Sequence, residues 1–151
     1  MDSIILVTGA TGTVGAQVAS QLLDAGARVR IAVPDPASER AAPLVARGAE
    51  AVRLDWDDAA TYGPAFAGVR RALLLTPFVE HSAAYVERAV AAARSAGVQH
   101  LVRSSALGAD PEAPGVGRDH GLGEAAVKGA GSGGRWCGRR SSPTTPSPTR
   151  R

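Results

Sequence analysis

The sequence has a single cysteine, Cys137. A disulfide framework is therefore excluded, and residues 1–128 offer neither a thiolate metal site nor a cysteine nucleophile. The three histidines, His81, His100 and His120, have no metal-ligand spacing with one another or with the acids, so no metal is expected. There is no run of 18 apolar residues, and no basic stretch leading into an apolar one at the N-terminus. These absences predict a soluble, cytoplasmic protein with no membrane partner. Aromatic residues are only 4% of the chain against 44% hydrophobic. Alanine and valine must then carry the core, which suits helices packed on a parallel sheet. Acids are missing from one region: residues 129–151 hold five arginines and no Asp or Glu, whereas residues 1–128 hold 12 Lys/Arg and 14 Asp/Glu. The net charge of +3 thus implies no basic face on residues 1–128.

The stretch that is strongly patterned comes first. Ile-Ile-Leu-Val at 4–7 reads as a short buried strand, and Gly9, Gly12 and Gly15 follow it at a spacing of three. Val14, Val18, Leu22 and Leu23 then recur at helical spacing, so the glycines occupy a strand-to-helix turn. Such a turn is where a dinucleotide pyrophosphate binds. Gly9 permits the tight turn, Gly12 lets backbone approach phosphate, and Gly15 lets helix and strand pack closely. The helix N-terminus faces the anion, with Thr11 and Thr13 as added hydroxyl donors. The spacing is G-x-x-G-x-x-G, not the G-x-G-x-x-G of typical dehydrogenases.

Five strands are predicted, at about 4–7, 28–33, 51–54, 71–76 and 98–104, alternating with helices at about 14–25, 37–47, 59–67, 79–96 and 118–128. Gly26, Gly48, Gly68 and Gly97 stop the first four helices. Repeated βαβ units force a parallel sheet with right-handed crossovers. The expected fold is α/β, a doubly wound Rossmann sheet in the order 3-2-1-4-5, whose ligands sit at the carboxyl ends of the strands.

Three segments, Leu6-Val-Thr-Gly-Ala-Thr-Gly-Thr-Val-Gly15, Leu73-Leu-Leu-Thr-Pro77 and Leu101-Val-Arg-Ser-Ser-Ala-Leu-Gly-Ala-Asp110, together resemble the NmrA-like branch of the atypical short-chain dehydrogenase/reductases. The resemblance covers about residues 2–128 and implies an NAD(P)-binding domain there, followed in the family by a smaller substrate domain. It implies hydride transfer between nicotinamide and a small carbonyl or quinone, as in quinone and isoflavone-type reductases. The alternative is a non-catalytic NAD(P) sensor acting through a protein partner. By resemblance, Gly9, Thr11, Gly12, Thr13, Val14 and Gly15 form the pyrophosphate loop. Asp55 is the acid beside the adenine, Thr76 and Pro77 run beside the ribose, and Ser104 and Ser105 lie near the nicotinamide. Asp55 is open to a second role as a helix N-cap.

The pattern departs from the family in two places. NADP-preferring members carry Arg directly after the second strand, where this chain has Pro34 and Asp35. Asp35 stands in the region from which an acid reaches a ribose 2′-OH, which leans the choice between NAD and NADP towards NAD. A plain turn role for Asp35, and an approach of Arg40 to a phosphate, remain open. The chain also lacks Tyr-x-x-x-Lys. At that place stands His120-Gly-Leu-Gly-Glu124, similar to a His…Glu variant of the family. His120 would be acid or cofactor contact, oriented by Glu124 one turn on; the alternative is a solvated helix face weakened by Gly121 and Gly123. His81 stands either at the cofactor rim or at an exposed helix start.

Residues 129–151 are rich in Gly, Ser, Pro and Arg, without apolar period, and are expected to be a disordered basic tail. Nucleic-acid binding by it is disfavoured, because it has a single aromatic and scattered arginines. The resemblance implies a sixth strand soon after the last helix, similar to Val-Val-Arg-Pro-Ser-Phe-Phe. Read one base back, codons for residues 136–142 can encode it, which suggests a frameshift. On that expectation the sixth strand and substrate domain are lost, the chain does not turn over, and the open edge of the fifth strand invites self-association.

Overall fold

The computed structural model describes residues 3–130 and, as backbone, residues 135–138. β1 (Ile4–Thr8), β2 (Val29–Val33), β3 (Glu50–Arg53), β4 (Val69–Leu74) and β5 (His100–Arg103) alternate with α1 (Thr13–Asp24), α2 (Ala42–Ala46), α3 (Tyr62–Phe66) and α4 (Ser82–Ser95). Then follow α5 (Val116–Gly129) and β6 (Arg135–Gly138). All pairings are parallel and the strand order is β3-β2-β1-β4-β5-β6. Register pairs Val7 with Ile31 on one side and with Leu73 on the other, so β1 is central.

Alternation along the strands feeds two cores. Val7, Ile31 and Val33 face α1 and α2, packing with Ala19 and Leu44. Leu6, Leu74 and Leu101 face the opposite side, with Phe66, Val86, Ala89 and Val127 from α3, α4 and α5. The five expected strands all form in the expected order.

The sixth strand corrects the expectation for residues 129–151 at one point. Arg135–Gly138 pairs with β5, His100 beside Arg135 through Arg103 beside Gly138. The edge of β5 is therefore not open. An unpaired strand edge offers N–H and C=O groups to an adjacent backbone whatever its side chains, so this pairing does not need a hydrophobic period in the added segment. Residues 131–134 and 139–151, the rest of the expected tail, lie outside the described residues.

Helix bounds differ where side chains capture the backbone. α2 begins late because Asp35 Oδ1 accepts from the Ala37 N–H (2.9 Å) and Ser38 N–H returns to the Asp35 carbonyl (3.2 Å), making a turn. A 3₁₀ turn at Ala59–Thr61 precedes α3, capped by Asp58, which accepts from the Ala60 N–H. α4 starts at Ser82 because His81 is left-handed (φ 67°), a conformation incompatible with continuing the helix upstream. Arg30, buried on β2, donates to the carbonyls of Ala65 (3.1 Å) and Ala67 (2.6 Å) and pairs with Glu50 at 2.9 Å, tying β2 and β3 to the end of α3. Among the described residues no helix is long and apolar enough to cross a membrane.

After β3, Trp56 packs edge-on against Tyr62 and tilted against Tyr85, with centroids 6.0 and 5.8 Å apart. The Tyr62 hydroxyl donates to the Trp56 carbonyl at 2.8 Å. Burial pushes the Tyr62 phenol from 10.0 up to about 12, against the pull of Arg88. Because the folded state holds this proton more tightly, the stability it contributes is complete below pH 10 and is lost as pH rises towards about 12. Tyr62→Phe should cost about 1 kcal/mol at neutral pH and flatten the alkaline loss, measured by urea unfolding at pH 7 and pH 11. An unchanged midpoint at neutral pH would show that the hydroxyl contributes nothing to stability.

Candidate functional site

β1 ends at Thr8, whose buried hydroxyl accepts from the Leu75 N–H (2.8 Å) and donates to the Leu75 carbonyl (3.0 Å). The turn after β1 and the segment after β4 are thereby held side by side. Gly9 is left-handed (φ 61°), and a Cβ on it would lie 3.2 Å from the Leu75 carbonyl oxygen. The Gly12 N–H closes the turn on the Gly9 carbonyl at 3.0 Å, and Gly12 enters α1 in extended conformation. A Cβ on Gly15 would lie 2.2 Å from the Gly9 oxygen, so no other residue fits there without moving backbone.

The first turn of α1 has no side-chain cap and no acid. Its amides lack intrahelical acceptors and its dipole is positive at this end. Thr11 is half-buried, while Thr13 and Val14 are exposed beside it, Val14 by 60%. An uncapped helix N-terminus entered through a glycine turn fits a pyrophosphate.

The other expected residues sit at the same end of the sheet. Asp35 is exposed after β2 and makes the turn described above. Asp55 is half-buried after β3, accepting from the Asp57 N–H (3.0 Å) and pairing with Arg53 (3.2 Å); the cap role expected of it belongs to Asp58. Thr76 is half-buried and Pro77 exposed after β4. Ser104 is exposed after β5, its N–H on the Leu74 carbonyl at 3.1 Å. Ser105 is half-buried, and its Oγ is buried beside the Glu124 carboxylate. His81 starts α4, exposed, its N–H held by Asp119 Oδ2 at 2.7 Å. Arg40 borders a groove between α1 and α2, with Gln17 and Arg47.

His120 and Glu124 do not lie on a solvated face. His120 is 9% exposed, with the Phe78 ring 5.9 Å from its own. The hydrogen-bond partner of the ring is not Glu124 but Arg103 of β5, whose Nη2 lies 3.4 Å from Nδ1. Glu124 pairs instead with Lys128 at 3.2 Å. Burial, then the Arg103 charge, push the His120 pKa down; Asp119 and Glu124 oppose them. Burial raises the Glu124 pKa, but the adjacent Ser105 hydroxyl, Lys128 and Arg103 outweigh it and hold the group below the usual carboxylate value. The two glycines of the motif also have packing causes. A Cβ on Gly121 would lie 2.3 Å from the Asp110 carbonyl carbon, and one on Gly123 would lie 2.8 Å from Arg103 Cζ.

Thr8 and Arg103 are the contributors that sequence reasoning missed. The signal for Thr8 was a lone hydroxyl ending an apolar strand before glycine; for Arg103 it was a charge inside one. Among the described residues no group of three His, Cys, Asp or Glu could hold a metal.

Gly15→Ala should destabilise the fold by at least about 3 kcal/mol, because backbone must move. Gly26→Ala, with nothing within 4 Å of its added Cβ but a φ of +76°, should cost about 1 kcal/mol. Urea unfolding of both variants checks the contrast, and equal costs would contradict the close approach at Gly15.

Residues 1–117 match the NmrA-like family. An NAD(P)H azoreductase from Xenophilus azovorans is 35% identical over 111 residues, covering 74% of this chain and 38% of that protein. Triphenylmethane reductase of Citrobacter sp., solved with NADP(H), superposes with a TM-score of 0.77 at 26% identity, covering 91% of this chain and 48% of that one. An NADPH-dependent quinone oxidoreductase from Escherichia coli, solved with NADPH, gives 0.76 at 28% identity, covering 91% and 48%. The chain thus spans less than half the length of each of these three. With the glycine turn, the strand order and the matched residues in agreement, the chain belongs to the NmrA-like family.

Proposed function

We propose that this chain binds a nicotinamide dinucleotide across the carboxyl ends of β1, β4 and β5, as the cofactor-binding part of a reductase acting on small carbonyl or quinone compounds. The observation that carries the reading is the Gly9–Gly15 turn. Its three glycines clear side chains from an uncapped helix N-terminus, and the Thr8–Leu75 hydrogen bonds hold that turn against the β4 end. Three reductases with NAD(P)H in their names or structures share the fold or sequence of this segment.

The dinucleotide, when bound, supplies hydride transfer. The residues of the chain bind and orient. In this reading the α1 amides, with Thr11 and Thr13, hold the pyrophosphate, and Thr76 and Pro77 border the ribose. Ser104 and Ser105 border the nicotinamide, and Asp55 borders the adenine. Phe78 (75% exposed), Val79 and Leu107, on the segments after β4 and β5, offer an apolar wall to a planar substrate. Asp35 at the β2 end places a negative charge where a 2′-phosphate would approach, which favours NAD over NADP.

Titration of the chain with NADH and NADPH, followed by nicotinamide fluorescence, tests this. The expected result is saturable binding of NADH, tighter than NADPH by roughly tenfold, or about 1.4 kcal/mol. Gly12→Val should weaken both by at least about tenfold, since its side chain fills the phosphate approach, while Asp35→Ala should narrow the preference. Absence of binding by either nucleotide would overturn the reading.

A further inference from the structure

Arg103, 1% exposed at the end of a strand, has no carboxylate within ion-pair distance among the described residues, and the Glu124 charge acts on it only from further off. Its Nε, like that of Arg30, has no hydrogen-bond partner, so the two differ at their terminal nitrogens. Nη1 donates to the His120 carbonyl and Nη2 lies against His120 Nδ1, both at 3.4 Å. The other buried strand arginine, Arg30, is fully engaged at its two terminal nitrogens by two carbonyls and Glu50. A buried charge is costly unless it is paired, so the arrangement of Arg103 is not one that packing alone would favour. Its seat is also made to measure. Gly123 leaves out the one Cβ that would strike Cζ at 2.8 Å, in the middle of a helix where alanine would otherwise be preferred.

A guanidinium has donors and no acceptor. For the contact to be a hydrogen bond the nitrogen facing it must offer a lone pair, which requires an Nδ1 without a proton. The ring is then neutral and its single N–H is on Nε2. We propose that Arg103 is a positioning residue that fixes His120 as a neutral Nε2–H donor, so that the group His120 engages in the site is a hydrogen-bond acceptor such as a carbonyl or quinone oxygen. The proposal rests on the reading of His120 as a site residue, and extends it: the ring holds a proton at Nε2 and polarises an oxygen, without becoming an imidazolium first.

The charged groups around the ring are Arg103 on β5 and Asp119 and Glu124 on α5, with the uncharged Phe78 ring packed against it from the segment after β4. Asp119 is engaged with the His81 N–H and Glu124 with Lys128, while the imidazole Nδ1 faces Arg103. The direction of the His120 shift, downward through burial and the Arg103 charge, agrees with a neutral ring.

The test reads the ring directly, by long-range ¹H–¹⁵N NMR of the labelled chain at pH 7 without nucleotide or substrate. Failure of hydride transfer would leave it untouched. The expected signature is a bare Nδ1 and a protonated Nε2 for His120. Gly123→Ala inserts a helix-favouring residue and displaces the guanidinium. In that variant, and in Arg103→Met, the tautomer should become mixed and the titration midpoint should rise towards the ordinary 6.5. Arg103→Lys keeps a donor and a charge and should retain the wild-type signature in good part. An Nδ1–H tautomer or an imidazolium in the wild-type chain would overturn the proposal even if every variant failed to fold. So would an unchanged signature in both Gly123→Ala and Arg103→Met.

Discussion

The contact on which the rest of the molecule depends is the approach of α1 to the end of β1, where Gly15 sits over the Gly9 carbonyl with no space for a side chain. That approach decides where the first turn of α1 lies relative to the sheet, and therefore what its amides can reach. Thr8 adds the second constraint. By bonding both the amide and the carbonyl of Leu75, it holds the β4 segment at the height of the turn. The two together convert a generic strand-helix connection into a slot with one wall from each of two central strands.

The second organising feature is the contrast between two buried arginines. Arg30 closes a structural joint between β2, β3 and α3, its terminal nitrogens satisfied by carbonyls and Glu50. Arg103 has no carboxylate within ion-pair distance among the described residues and touches a histidine at the strand ends. Both arginines keep a buried Nε without a partner, so the difference lies at the terminal nitrogens. Those of Arg30 meet two carbonyls and a carboxylate, whereas those of Arg103 meet only the carbonyl and ring nitrogen of His120. The loop at 110–111 packs against Gly121 and the His81 turn is pinned by Asp119, so the histidine is enclosed from both neighbouring segments.

Much of this was legible in the sequence because backbone constraints appear directly as residue type. Gly9 is required by its positive φ and Gly15 by the Gly9 carbonyl against it, and the apolar strands follow from burial on both faces. The cap and turn acids were legible only as a class: Asp35, Asp55 and Asp58 compete for similar roles, and which of them caps depends on a turn geometry the sequence leaves open. The contacts that remained hidden are non-local. Thr8 and Leu75 are 67 residues apart and Arg103 and His120 are 17 apart. Gly121 and Gly123 looked like weak points of a helix, although each admits a neighbour that a methyl group would exclude. β6 was hidden for another reason, since strand addition at an edge is carried by backbone groups and does not need a side-chain period in the added segment.

The central claim is that the carboxyl end of the sheet, entered at the glycine turn, is a dinucleotide site. Backbone ¹H–¹⁵N NMR of the labelled chain, titrated with NADH, tests it most directly. The account predicts shifts concentrated at the amides of Gly9 to Ala16, Leu75, Thr76 and Ser104–Ser105, with the β-strand N-termini and the outer face of α4 undisturbed. Shifts centred elsewhere, or none at millimolar nucleotide, would contradict it.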